Sequence, residues 1–189
     1  KLVGELLEEG YILDFGKQET SGGRKPNIYG LNPESGYFIG VDVRKDSVNI
    51  AIVDFKGKFV SIDEDVPYNL ENTPAAFDKL CCLIEDFIAT LKVPREKILS
   101  VGVNITGRVN PISGYSYSFF YFEEKPLSLI FEERLKIKVY TENDTRAMAY
   151  GEYMKGVVKG EKNIIFVNIS WGLGVGIILD GKLYYGKSG

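Results

Sequence analysis

The sequence predicts an α/β protein in which one β-meander occurs twice, and three observations carry that reading. First, Tyr37-Phe38-Ile39-Gly40-Val41-Asp42-Val43 is a β-rich run, residues 47–54 alternate apolar and polar, and Gly57 turns the chain into a third run over 58–62. Second, the same order returns after Lys162, with a run over 163–169, another over 173–180, and a turn at Gly181 into Lys182-Leu183-Tyr184. Val43 to Asp54 and Ile169 to Asp180 are both eleven residues, and each aspartate stands just ahead of a Gly-Lys turn. An internal duplication accounts for both copies. Third, amphipathic helical segments alternate with strand-like runs between the copies, as in α/β architectures.

Composition sets the limits. With 44% hydrophobic and 13% aromatic residues, the 189-residue chain can bury a sizeable core and is not a disordered segment. No apolar run reaches the roughly 18 residues of a membrane-spanning helix, and no charged leader followed by an apolar core opens the chain. A net charge of −3 excludes a protein that coats nucleic acid by charge alone. A histidine count of zero removes histidine bases, triads and histidine-ligated zinc from these residues. Cys81 and Cys82 are adjacent on a helical segment and read as free buried thiols of a reducing, cytoplasmic compartment.

The remaining elements follow in order. Residues 2–9 carry apolar positions at helical spacing and Gly10 closes them. Tyr11-Ile12-Leu13 is a short strand, residues 16–23 are turn-rich, and residues 25–32 return as a second extended segment. That order matches the end of a winged-helix module; an extension packed on the core is the alternative. After the first meander, Thr73 or Asn72 caps a helix that starts at Pro74 and runs to about Leu91. Ala76, Leu80, Leu83, Ile84, Phe87, Ile88 and Leu91 form its apolar stripe. A buried strand over 98–105, a helix over 126–135, a short strand over 138–141 and a helix over 143–154 complete the first unit. With Lys1 at one end and a strand-then-turn at the other, the chain reads as a piece of a larger protein.

Three stretches are candidates for chemistry. In the turn at Gly40 to Ser47, Arg44 and Lys45 stand where a phosphate-cradling hairpin needs small residues. Their Cβ atoms and stems block backbone approach, so the turn is expected not to hold a nucleotide. Gly172-Leu173-Gly174-Val175-Gly176 has alternate glycines, which fit either close approach of a ligand or a strand packed on a helix. Thr141-Glu142-Asn143-Asp144 ends a strand and opens a helix, the position where α/β folds bind ligands. Asn143 or Asp144 caps that helix, and both can hydrogen-bond vicinal hydroxyls; Asp144 can also act as a general base. Ala147, Ala149 and Gly151 behind them permit close packing. The strand running into Gly107-Arg108-Val109 and the aromatic run Ser116-Tyr117-Ser118-Phe119-Phe120-Tyr121-Phe122 also fit a polyol site, the aromatics serving either as core and edge-strand packing or as a stacking wall.

Taken together, residues from about Gly22 to Gly189 resemble the ROK family of repressors and sugar kinases. Glu142-Asn143-Asp144-Thr145-Arg146-Ala147 with Gly151-Glu152 is similar to the family's Asn-Asp-Ala helix start. Gly107-Arg108-Val109-Asn110 with Gly114 is similar to its Gly-Pro-Val sugar loop, with Arg108 where proline is usual. The stretches at Gly40 to Gly57 and Gly172 to Asp180 resemble its two phosphate hairpins.

The resemblance implies an actin-like, hexokinase-like (ribonuclease H-like) duplicated fold. It places the end of a winged helix and linker at residues 1–34, a first lobe at 35–160 and the opening of a second lobe at 161–189. It implies a sugar or sugar phosphate held between the lobes by Asn143 and Asp144, with Gly107 nearby. Kinase members carry Asp-x-Gly-Gly-Thr where this chain has Asp42-Val43-Arg44-Lys45-Asp46, so Asp42, Arg44, Lys45, Gly172 and Gly174 are expected to mark vestigial phosphate loops. Ser21-Gly22-Gly23-Arg24-Lys25-Pro26 resembles the linker of the regulator members. The expected function is therefore a sugar-responsive, non-enzymatic repressor acting on operator DNA as a homodimer or homotetramer. An ATP-dependent sugar kinase with Asp144 as base is the alternative. No cofactor is expected in these residues; the family's zinc site and its Glu-x-Gly-His sugar residues are expected beyond Gly189.

Overall fold

The computed structural model describes residues 1–18, 25–170 and 172–187. It opens with helix α1 (Leu2–Glu8). Gly10, at φ +74°, ends that helix, its N–H donating to the Leu7 carbonyl at 3.1 Å. Strands β1 (Ile12–Lys17) and β2 (Asn27–Leu31) then pair antiparallel, with Ile12 opposite Leu31. Asn32 ties this hairpin back to α1: its side-chain amide donates to the Gly10 carbonyl at 2.7 Å and its backbone N–H to Tyr11 at 2.9 Å. Helix and hairpin lie where the sequence places them. The linker residues Ser21 to Arg24 lie outside the described residues.

Period-two alternation builds the central sheet. β3 (Tyr37–Val43), β4 (Ser47–Asp54) and β5 (Phe59–Pro67) form the first meander. Tyr37, Ile39, Val41 and Val43 point to the core, as do Val48, Ile50 and Ile52. β5 runs five residues beyond the expected Ile62, through Asp63-Glu64-Asp65. It is an edge strand, where outward charges are tolerated, and the pairing is interrupted near Asp65, at φ +51°. Thr73 caps α2 (Pro74–Thr90), its hydroxyl accepting from the Ala76 N–H at 3.2 Å. Leu80 and Ile84 of the expected stripe are fully buried, while Leu83 and Leu91 pack at its margin.

The chain returns as β6 (Ile98–Ile105), parallel to β3. A small hairpin of β7 (Val109–Asn110) and β8 (Tyr115–Ser116), helix α3 (Leu127–Leu135) and strand β9 (Val139–Asn143), parallel to β6, come next. The five-stranded order is β5-β4-β3-β6-β9. The aromatic run is largely loop: after β8 it bends so that Phe120, at φ +56°, enters the core edge-on to Phe77. The Asn72 side chain secures that bend by accepting from the Phe120 N–H at 2.6 Å. Phe120 thus serves packing, while Tyr117 and Tyr121 remain exposed.

Helix α4 (Asp144–Lys155) follows β9 directly and packs against the second meander, β10 (Ile164–Ile169), β11 (Leu173–Leu179) and β12 (Lys182–Leu183). The repeat read from the sequence is thus present as two antiparallel meanders. Gly174 and Gly176 face α4; a Cβ at Gly174 would overlap the Thr145 side chain, and one at Gly176 would overlap Ala149. For these two positions, close strand-on-helix packing is the reason for glycine. Gly151 departs from expectation: it is exposed and nothing approaches it. So does Cys82, which is exposed, because consecutive helical residues point about 100° apart and only Cys81 faces the core. The other face of the second sheet, with Ile165, Val167, Ile169, Leu173 and Val175, is exposed. No described helix is long and apolar enough to cross a membrane.

Candidate functional site

The site forms where parallel strands β6 and β9 end beside the β10–β11 hairpin. Beyond β6 the chain turns at Gly107, which glycine alone suits on two grounds: its φ is +89°, and a Cβ there would overlap Ser118. The Ser118 hydroxyl accepts the next N–H, that of Arg108, at 2.9 Å. The Arg108 guanidinium lies 4.6 Å from the Tyr117 ring centroid. Arg108 has no carboxylate partner among the described residues.

Asn143 ends β9 and caps α4, its Oδ1 accepting from the Arg146 N–H at 3.0 Å. Its side-chain amide donates to the Gly107 carbonyl and to Asp144 Oδ1, both at 2.9 Å. Both amide hydrogens are thereby engaged, so Asn143 offers a ligand only the second lone pair of Oδ1. Asp144 is asymmetric. Oδ1 accepts from the Thr145 N–H at 2.6 Å, the Thr145 hydroxyl at 3.3 Å and the Asn143 amide, whereas Oδ2 has no hydrogen-bond partner among the described residues. A carboxylate held through one oxygen presents the other in a fixed direction.

These groups line a cleft of about 480 Å³, with Asn168, Ser170, Gly172 and Gly174 on the opposite wall. That is the size of a small-molecule site. Gly107, Asn143, Asp144, Gly172 and Gly174 are therefore brought together. Asp42 and Arg44 line a second cavity of about 300 Å³ that shares Thr106, Asp144, Asn168 and Ser170 with the first. Lys45 lines neither. Arg44 is engaged internally, Nε on Asp42 at 2.9 Å and Nη1 on Asp65 at 3.3 Å.

Superposing the meanders on Val43 and Ile169 equates Asp42 with Asn168 and Arg44 with Ser170. Repeat-related residues thus face one cavity from both hairpins. Sequence reasoning missed Asn168 and Ser170, although the eleven-residue repeat pointed to them. It also missed Arg146, whose guanidinium pairs with Glu142 across the junction of β9 and α4. Among the described residues, no three of His, Cys, Asp and Glu gather to hold a metal ion.

The xylose repressor of Bacillus subtilis is 29% identical over 188 residues, covering 99% of this chain and 49% of that protein. The DNA-binding transcriptional dual regulator NagC of Escherichia coli is 25% identical over 191 residues, covering 100% and 47%. The chain spans about half the length of these curated relatives. Among solved structures, a ROK family transcriptional regulator described as a homologue of the E. coli MLC protein superposes with a TM-score of 0.76 at 21% identity, over 100% of this chain and 48% of that one. A ROK family glucokinase from Streptomyces griseus, in complex with glucose and AMPPNP, gives 0.67 at 26% identity over 80% and 47%. The fold is that of the hexokinase-like, actin-like proteins. The ROK family pattern itself matches residues 38–189, so the chain belongs to the ROK family.

Proposed function

We propose that the full-length protein is a sugar-responsive transcriptional repressor of carbohydrate metabolism. A sugar or sugar phosphate binds between the meanders and shifts the population of DNA-binding molecules. The observation that carries the reading is the free Oδ2 of Asp144, presented to a 480 Å³ cleft by a carboxylate fixed through its other oxygen. It suits a sugar hydroxyl as donor. Asn143 fixes the geometry and Gly107 allows the loop to come close. A tenfold change in DNA affinity requires only about 1.4 kcal/mol of coupling, which a few such hydrogen bonds supply.

The repressor names of the relatives support this reading, as does the helix-and-hairpin at residues 2–31, which we read as the end of a winged helix that holds operator DNA. We read residues 35–160 as the first lobe and 161–189 as the opening of the second. The exposed apolar face of β10 and β11 would be covered by the remainder of that lobe, and the working form would be a homodimer or homotetramer.

A sugar kinase is the second reading, favoured by the likeness to the glucokinase and by the position of Asp144 on the cleft. Against it stand Arg44 and Lys45 in the β3–β4 turn, whose side chains obstruct backbone approach to a phosphate, and Arg44 is held by two aspartates. Sugar-dependent ADP release by the full-length protein distinguishes the two. Background release supports the repressor; turnover well above it overturns the ranking.

A further inference from the structure

Arg146 belongs to the walls of two cavities, the 480 Å³ cleft and a neighbouring one of about 630 Å³ near β12. Its guanidinium touches three parts of the chain, two of them distant from it in sequence. Nε and Nη2 both reach Glu142 Oε1, at 2.8 and 2.6 Å. Nη2 also donates to the Val109 carbonyl at 2.6 Å. Its Cζ lies 5.4 Å from the Tyr185 ring centroid. The ion pair is largely withdrawn from water, with side chains 11% and 20% exposed.

Each contact leads to a part of the site. Glu142 Oε1 also accepts the N–H of Asn143, the cap of α4, at 2.6 Å. Val109 comes two residues after Gly107, whose carbonyl receives the Asn143 amide. Tyr185 follows β12, the last strand of the second meander. An ordinary i,i+4 pair on a helix surface would make the first contact alone and contribute little. The carbonyl and the tyrosine ring make this arginine different, and only a planar fork can serve all three at once.

We propose that Arg146 is a positioning residue that fastens both the Gly107 loop and the segment after β12 to the start of α4. Ligand contacts at Gly107 and Asp144 are thereby coupled to the setting of the second meander. The ligand side of this proposal rests on the sugar-site reading above; the mechanical side does not.

Amide hydrogen exchange on the ligand-free, full-length protein tests the mechanical side. In Arg146→Lys and Arg146→Gln, amides in residues 107–118 and 182–187 should exchange about tenfold faster, the loss of roughly one charge-assisted hydrogen bond, while β3, β4 and β6 stay unchanged. Tyr185→Leu tests the tie from its far end, should either arginine variant not fold, and should loosen 182–187 and 107–118 together. Tyr185→Phe keeps the ring under the guanidinium but loses the phenol contact with Glu142, so it should loosen 182–187 less than Tyr185→Leu does. Unchanged exchange in 107–118, or equal acceleration throughout the core, overturns the proposal. Calorimetry with D-xylose, N-acetylglucosamine, glucose and their phosphates tests the ligand side, and whichever binds the wild type should bind the arginine variants about tenfold more weakly. If none binds the wild type, the sugar reading fails and the exchange result alone decides the role of Arg146.

Discussion

The side-chain amide of Asn143 donates to the carbonyl oxygen of Gly107 at 2.9 Å, joining the start of α4 to the loop that leaves β6. The same side chain caps α4 through its oxygen. One residue therefore fixes both walls of the cleft corner in which Asp144 stands.

Asn143→Ala should accordingly cost stability as well as ligand response. Loss of the cap and of the loop tie together amount to about 2 kcal/mol, a fall of several degrees in Tm. Asp144→Asn keeps an acceptor for the Thr145 N–H and should change stability by less than about 1 kcal/mol, yet abolish the sugar response with DNA affinity intact. Calorimetric scans and DNA binding with and without sugar measure both. A normal sugar response in either variant would place the site elsewhere.

The glycines within β11 differ from Gly172, which stands just before it. Gly176→Val should destabilise by about 1–3 kcal/mol or more, because the new side chain meets Ala149 and the Thr145 backbone of α4. Gly172→Ala meets nothing within 4 Å and should be close to neutral. Urea unfolding of the two variants checks the contrast, and equal effects would refute the packing account.

Cys81 is fully buried, and burial pushes its thiol up to about 12. The unfolded chain releases this proton above about 8.5 while the folded chain retains it. Its contribution to stability is therefore complete below about pH 8.5 and declines by roughly 1.4 kcal/mol per pH unit toward 12. Tyr68, also raised by burial and donating to the Ala76 carbonyl at 2.9 Å, adds to the decline above about pH 10. Urea midpoints between pH 7.5 and 10 should fall accordingly, and Cys81→Ala should flatten the first part of the decline. In the native protein iodoacetamide should label the exposed Cys82 and spare Cys81. Labelling of both at equal rates would contradict the burial argument.

Much of this fold was legible because local chemistry decided it. Val43 and Ile169 mark the repeat, Thr73-Pro74 marks the start of α2, and residues 98–105 form β6 as read. What escaped was decided by contacts distant in sequence. Phe120 leaves the aromatic run because Asn72, far upstream, receives its N–H and Phe77 receives its ring. Asp63 to Asp65 join β5 because an edge strand exposes them. At the site, Gly107, Asn143 and Asp144 announced themselves by turn and cap chemistry, whereas Arg146 acts through Val109 and Tyr185, which no local pattern reveals.

The most direct test of the central claim is fluorescence anisotropy of the full-length protein on DNA from upstream of its own gene, repeated across the panel of sugars and sugar phosphates. The account predicts specific binding that one member of the panel changes by tenfold or more, and an Asp144→Asn variant that binds the same DNA but no longer responds. Absence of specific DNA binding, or binding that no sugar alters, would contradict it.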